Sequence, residues 1–154
     1  MGTNYYFVNK KSLEESKQYN TGLEELISEF KTKLIEYGCD EDLILDKLGD
    51  VRYSNEKMPK EIHIGKRSAG WKPLFGIQEE YHGVSGMKEW YEQNKEEWNI
   101  INEYGEQFIW GELVEILINW EGEKSHIEFM NNNYLHTRGY SIIDGFEWYE
   151  GEFS

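Results

Sequence analysis

A chain of 154 residues with a net charge of −14 has the length of one folded domain. Its sign is wrong for a general nucleic-acid binder, whose affinity comes from neutralising phosphates. Its single cysteine, Cys39, excludes an internal disulfide and a cysteine-based zinc site, while six Trp, eleven Tyr and seven Phe carry much of the apolar area.

The elements follow in chain order. Gly2 to Val8 reads as a short strand through Tyr5, Tyr6, Phe7 and Val8, and the polar stretch Lys10 to Asn20 as a loop. Thr21 and Glu24 form a T-x-x-E capping box. Leu23, Leu26, Ile27, Phe30, Leu34 and Tyr37 then recur at helical spacing up to Gly38, the natural stop. Asp40 caps a second helix, with Leu43, Ile44 and Leu48 inward and Gly49 at its end. Together these predict a helical hairpin inserted near residues 21–49, within an insertion of about 11–60. Val51 to Lys60 is a polar connector. Ile62 to Ile64 is a strand, 65–70 a loop, and Trp71 to Ile77 a strand that Pro73 assigns to a sheet edge.

Ser85 caps a third helix with Met87, Trp90, Tyr91, Asn94 and Trp98 on one stripe. Ile100-Ile101 and Gln107 to Ile109 form a hairpin turning at Gly105. Trp110 to Trp120 is a helix burying Leu113, Val114, Leu117 and Trp120. His126 to Met130, Tyr140 to Ile143 and Phe146 to Tyr149 read as strands, punctuated by three asparagines and by Asp144-Gly145. The fold class is α+β: one domain over 1–154, with a small, mostly antiparallel sheet covered by helices.

One segment carries chemistry. From Lys57 to Lys72 the bases Lys57, Lys60, Lys66, Arg67 and Lys72 face a single acid, Glu61. At its centre, Gly65 and Gly70 allow positive φ and close backbone approach, and the residues between them could leave amides free to form an anion-binding nest. Lys66 and Arg67 supply charge, Ser68 a hydroxyl, Trp71 a stacking surface and His63 a proton donor or acceptor near neutral pH. The competing reading is a tight strand-to-strand turn whose exposed bases pair with the acidic surface. The order is neither G-x-x-x-x-G-K-[ST] nor G-x-G-x-x-G.

The four histidines, His63, His82, His126 and His136, lack metal-ligand spacing, so no metal site is expected. Cys39 sits beside acids that raise a thiol pKa, which argues against a catalytic cysteine. The aromatic tail of Tyr134, Tyr140, Phe146, Trp148, Tyr149 and Phe153 serves either the core or a pocket, and Phe153 calls for a docking site. No apolar run spans a membrane, and Met1 to Lys11 has no signal-peptide pattern, so a cytoplasmic protein is expected.

The segments Met1-Gly2-Thr3-Asn4-Tyr5-Tyr6 and Ile62 to Trp71, together with Asn102 to Gly105 and Gly151 to Ser154, resemble a family of small phage and bacterial proteins. That family has an MGTNYY start, an IHIGK-x-SAGW segment and an ending near GEFS. The likeness does not extend over Lys11 to Lys60, where many relatives carry a short CxxC-type knuckle that is absent from this chain. The resemblance implies a phage protein acting in the host cytoplasm against bacterial defences.

Three functions are consistent with these features. The first is non-catalytic sequestration of a phosphate-containing, nucleotide-like signal, bound by His63, Gly65, Lys66, Arg67, Ser68, Gly70 and Trp71. The second is an acidic inhibitor, mimicking nucleic acid, that binds a host defence protein. The third is a phosphoesterase with His63 as general acid/base and Lys66 or Arg67 stabilising charge. No cofactor, direct nucleic-acid partner or membrane partner is expected, and the helical hairpin is a candidate homo-oligomer element.

Overall fold

The structure, a computed structural model, describes residues 2–154. The fold is α+β and the chain forms two compact units. One is Lys10–Lys60, and the other joins residues 2–9 to Glu61–Ser154.

The second unit is built on a seven-stranded sheet. Its strands are β1 (Gly2–Asn9), β2 (Glu61–Ser68), β3 (Leu74–Gly76), β4 (Trp98–Asn102), β5 (Gln107–Phe108), β6 (Tyr140–Ile143) and β7 (Phe146–Tyr149). The order is β5-β4-β1-β2-β3-β7-β6, and all neighbours are antiparallel except β3 and β7. One sheet face supplies Tyr5, Phe7, Ile62, Ile64, Phe75, Ile100 and Trp148 to the core. Met87 of α3 (Gly83–Asn94) joins them, as do Leu113 and Leu117 from the helical segment that starts with α4 (Trp110–Leu113). Aromatic rings meet tilted or stacked across this core, Phe75 against Trp148 at 5.1 Å, Phe7 against Trp90 at 5.1 Å and Phe7 on Tyr91 at 5.5 Å.

The first unit is a helical hairpin of α1 (Lys10–Glu36) and α2 (Glu41–Asn55). Ile27 meets Ile44 and Leu48, with Leu23 and Leu34 packed against them. Gly38 has φ 78° and ends α1, and the Asp40 carboxylate accepts from the Leu43 amide to start α2. The Glu24 carboxylate receives two hydrogen bonds from the Arg52 guanidinium, and Asn20 exchanges hydrogen bonds with the Lys57 backbone.

Several sequence expectations change. Lys10 to Asn20 is the first part of α1, so Thr21 lies inside a helix and caps nothing. The stretch is rich in Lys, Glu and Gln, which lose little rotamer freedom in a helix, and Glu14 bonds Gln18 one turn on. Gly49 does not end α2, which continues to Asn55, and Leu43 is exposed. β3 is interior and Pro73 merely precedes it. The third helix starts at Gly83, with Ser85 inside it, and ends before Trp98, which opens β4. After α4 the backbone widens into a π-helical turn, Val114–Ile118. The expected strand at His126 is instead a helix, α5 (His126–Asn132), capped by Ser125, whose hydroxyl accepts from the Glu128 amide. The hairpin at Gly105 forms as expected, and the expected break at Asp144-Gly145 is the turn of a second hairpin, β6 to β7, with positive φ at all three residues.

Candidate functional site

The basic segment is strand rather than loop as far as Ser68. β2 pairs with β1 on one side and β3 on the other, so its backbone is committed to the sheet and forms no nest. Gly65 is required by close approach, since a Cβ there would lie 2.6 Å from the Leu74 carbonyl oxygen. Gly70, with φ 81°, is the one that uses the left-handed region.

A bulge decides where the side chains go. Tyr6 opposes His63 and Tyr5 opposes Gly65, leaving Ile64 as the extra residue. An extra residue resets the alternation of faces. His63, Lys66 and Ser68 therefore share a face with Asn4 and Tyr6, while Arg67 turns to the face of Tyr5. The two bases expected to clamp one phosphate point to opposite sides of the sheet.

On the first face, the His63 Nε2 lies 3.0 Å from the Asn4 Oδ1, an acceptor, so this nitrogen donates. The His63 ring stacks on Tyr6 at 4.9 Å and meets Phe153 at 4.4 Å. This is the docking site that Phe153 called for. The Lys66 ammonium donates to the Ser154 carbonyl. A cleft of about 420 Å³ remains, lined in part by Tyr6, His63, Gln78 and Glu152. Burial is the main reason that His63 is pushed down from 6.5 to about 4. Its ring is neutral at pH 7 and a poor proton acceptor there. A reaction centre using both His63 and Arg67 is ruled out by their opposite faces.

On the second face, the Arg67 guanidinium donates to the Ile116 carbonyl at 3.1 Å and lies 4.6 Å over the Trp120 ring and 6.0 Å from Tyr5. The π-helical turn supplies that carbonyl, and a cation near a helix C-terminus is favoured by the helix dipole. The Trp120 Nε1 donates to the Ser68 carbonyl at 3.2 Å.

Gly70 and Trp71 lie at a third place. The Lys124 amide donates to the Gly70 carbonyl and the Lys72 amide to the Lys124 carbonyl. The Trp71 ring stacks on His126 at 4.9 Å, meets Phe129 at 5.3 Å and carries the Lys124 ammonium at 5.5 Å. Beside them opens a cleft of about 630 Å³. It is lined by Gly70, Lys72, Trp120, Lys124 and Phe146 along with Glu121, Glu123 and Glu147. Glu147 is buried and accepts from the His126 amide at 2.8 Å, at the start of α5.

Of the seven expected residues, three (His63, Lys66, Ser68) share one face, Arg67 occupies the other, Gly70 lines the cleft, and Trp71 stacks on His126 next to it. Gly65 serves strand packing. Asn4, Lys124 and Glu147 carry no signal in the sequence that marks them as site residues, and Trp120 reads there only as part of a helix's buried face. The aromatic tail divides, with Trp148 in the core, Phe146 at the cleft, Tyr140 stacked on Tyr149 and Tyr134 in solvent. No helix among the described residues is long and apolar enough to cross a membrane. No known protein family, characterised protein or solved structure matches the chain.

Proposed function

We propose that this chain is a non-catalytic binding protein of phage origin that engages a basic surface of a host defence protein. The observation that carries this reading is where the charge sits. Residues 2–9 and 61–154 hold 18 Asp and Glu against 7 Lys and Arg, whereas the helical hairpin holds 12 against 9. Two cations in the segment read as a phosphate clamp, Lys66 and Arg67, are engaged within the protein, so the dominant field of the sheet unit is negative. Such a field steers and orients a basic partner. The phage assignment rests on the MGTNYY and IHIGK-x-SAGW segments. In a pull-down from host lysate, a specific partner is expected at about 0.05 M salt and is lost at about 0.5 M, where screening shortens to a few ångströms. If no captured protein depends on salt, the reading fails.

One observation favours a second reading, sequestration of a nucleotide-like signal. Lys72, Lys124, Trp120 and Phe146 converge on the larger cleft, whose volume lies within the range of small-molecule sites. A nucleotide, cyclic dinucleotide or ADP-ribose-type ligand at about 100 times its Kd would add about 2.7 kcal/mol of stability. The thermal shift should vanish in Lys72→Ala/Lys124→Ala and persist in Lys66→Ala. Ligand recovered intact means sequestration, and ligand recovered altered means catalysis.

A further inference from the structure

Helix α1 carries two apolar stripes, and only one is used within the hairpin. Leu23, Ile27 and Leu34 pack on Ile44 and Leu48 of α2. Beside them Tyr19, Leu26 and Phe30 recur at intervals of seven and four, which places them on one adjoining line of the helix, and Tyr37 follows in the turn just after it. They are 48%, 66%, 55% and 83% exposed. Single exposed apolar residues need no explanation, but several large ones on one line of a helix mark an interaction surface.

The charges bordering that row identify its occupant. Helical geometry puts Glu25, Glu29 and Glu36 along the edge away from α2, while Lys33, seven residues after Leu26, falls between Phe30 and Tyr37 in the row itself. An antiparallel two-fold pairing of α1 with its own copy, centred near Ser28, would bring Leu26 to Phe30. It would also set the Glu29 edge against the same edge of the second copy, acid on acid. A helix with apolar residues at i, i+3 or i+4 and i+7, flanked by Lys or Arg, satisfies both the row and its edge.

We propose that this outer face of α1 is the docking site for a basic amphipathic helix of a partner protein. The inference rests on the protein-binding reading and assigns it a surface distinct from the acidic sheet unit. The probe is a fluorescent Leu/Lys amphipathic helical peptide, titrated into the full chain and compared with a scrambled peptide of the same composition.

The helical peptide is expected to bind at least about tenfold tighter than the scrambled one. Leu26→Asp/Phe30→Asp should weaken it by a similar factor, and Glu25→Lys/Glu29→Lys, which leaves the apolar row intact, should weaken it too. All four side chains are exposed, and far-UV circular dichroism checks that each variant retains its helices. If every variant binds the peptide equally, the contact belongs to the acidic sheet unit. The docking face then falls and the protein-binding reading stands. If the peptide does not bind while a salt-sensitive partner is still captured from lysate, the inference alone falls. A dimer in sedimentation that Leu26→Asp dissolves gives the face to a second copy and overturns the proposal.

Discussion

Replacing Gly65 with alanine is expected to destabilise the sheet unit by about 3 kcal/mol, near the upper end of the cost of overpacking. The new methyl would meet backbone at the Leu74 carbonyl oxygen, 2.6 Å away, and at the Phe75 Cα, 3.2 Å away, as well as the Phe75 ring at 3.2 Å. No rotamer relieves a clash between main chains, so β2 and β3 must separate. For a chain of this size the melting midpoint should fall by roughly 10 °C. All six tryptophans lie outside the hairpin, so their fluorescence follows the sheet unit alone. Gly70→Ala is the control. A Cβ there meets nothing within 4 Å, and its left-handed φ of 81° costs about 1–2 kcal/mol. If the two substitutions were equally mild, close strand packing would not be the reason for Gly65.

Acid should weaken the sheet unit through His63 before it protonates most carboxylates. The unfolded chain binds this proton at its ordinary value of 6.5, and the folded chain only near 4, because the ring is buried. Above 6.5 neither state is protonated and the group contributes no pH dependence. Between 6.5 and about 4 the unfolded state binds the proton that the folded state refuses, so stability falls as pH falls. Below about 4 both states bind it and the loss levels off, having reached on the order of 3 kcal/mol. Urea denaturation of the wild type and His63→Gln at about pH 7.5, 5.5 and 4 isolates this contribution, because other groups titrate in both proteins. A difference between them that stays constant over that range would mean the ring is not held neutral by burial.

The strands with aromatic or branched residues between clear turns were legible, as in β1 and the hairpins at Gly105 and Gly145. Helix starts were less so. Thr21 offers a capping box that the chain passes through, because the residues before it are themselves good helix formers. At Ser125 the opposite happened. S-x-x-E was present, but the apolar run of Ile127, Phe129 and Met130 resembled a strand. The split of Lys66 from Arg67 was not legible at all. With Ile62 and Ile64 inward, simple alternation would send Lys66 inward as well. It is turned away because Ile64 is the extra residue of a bulge, which exists only in the pairing of β2 with β1. The composition of the basic segment was thus readable and its division among three places was not.

Lys10–Lys60 joins two strands, β1 and β2, that are antiparallel neighbours, and Val8 pairs with Glu61 across the junction. In topological terms the whole helical hairpin occupies the position of a β-hairpin loop. Lengthening such a loop is inexpensive, on the order of 2 kcal/mol of closure entropy between a few residues and fifty. The register of β1 on β2 is set by the bulge and the inward side chains, not by what connects them. The insertion is therefore an exchangeable module. One scaffold can carry inserts of unrelated structure between the same two strands while the sheet stays constant.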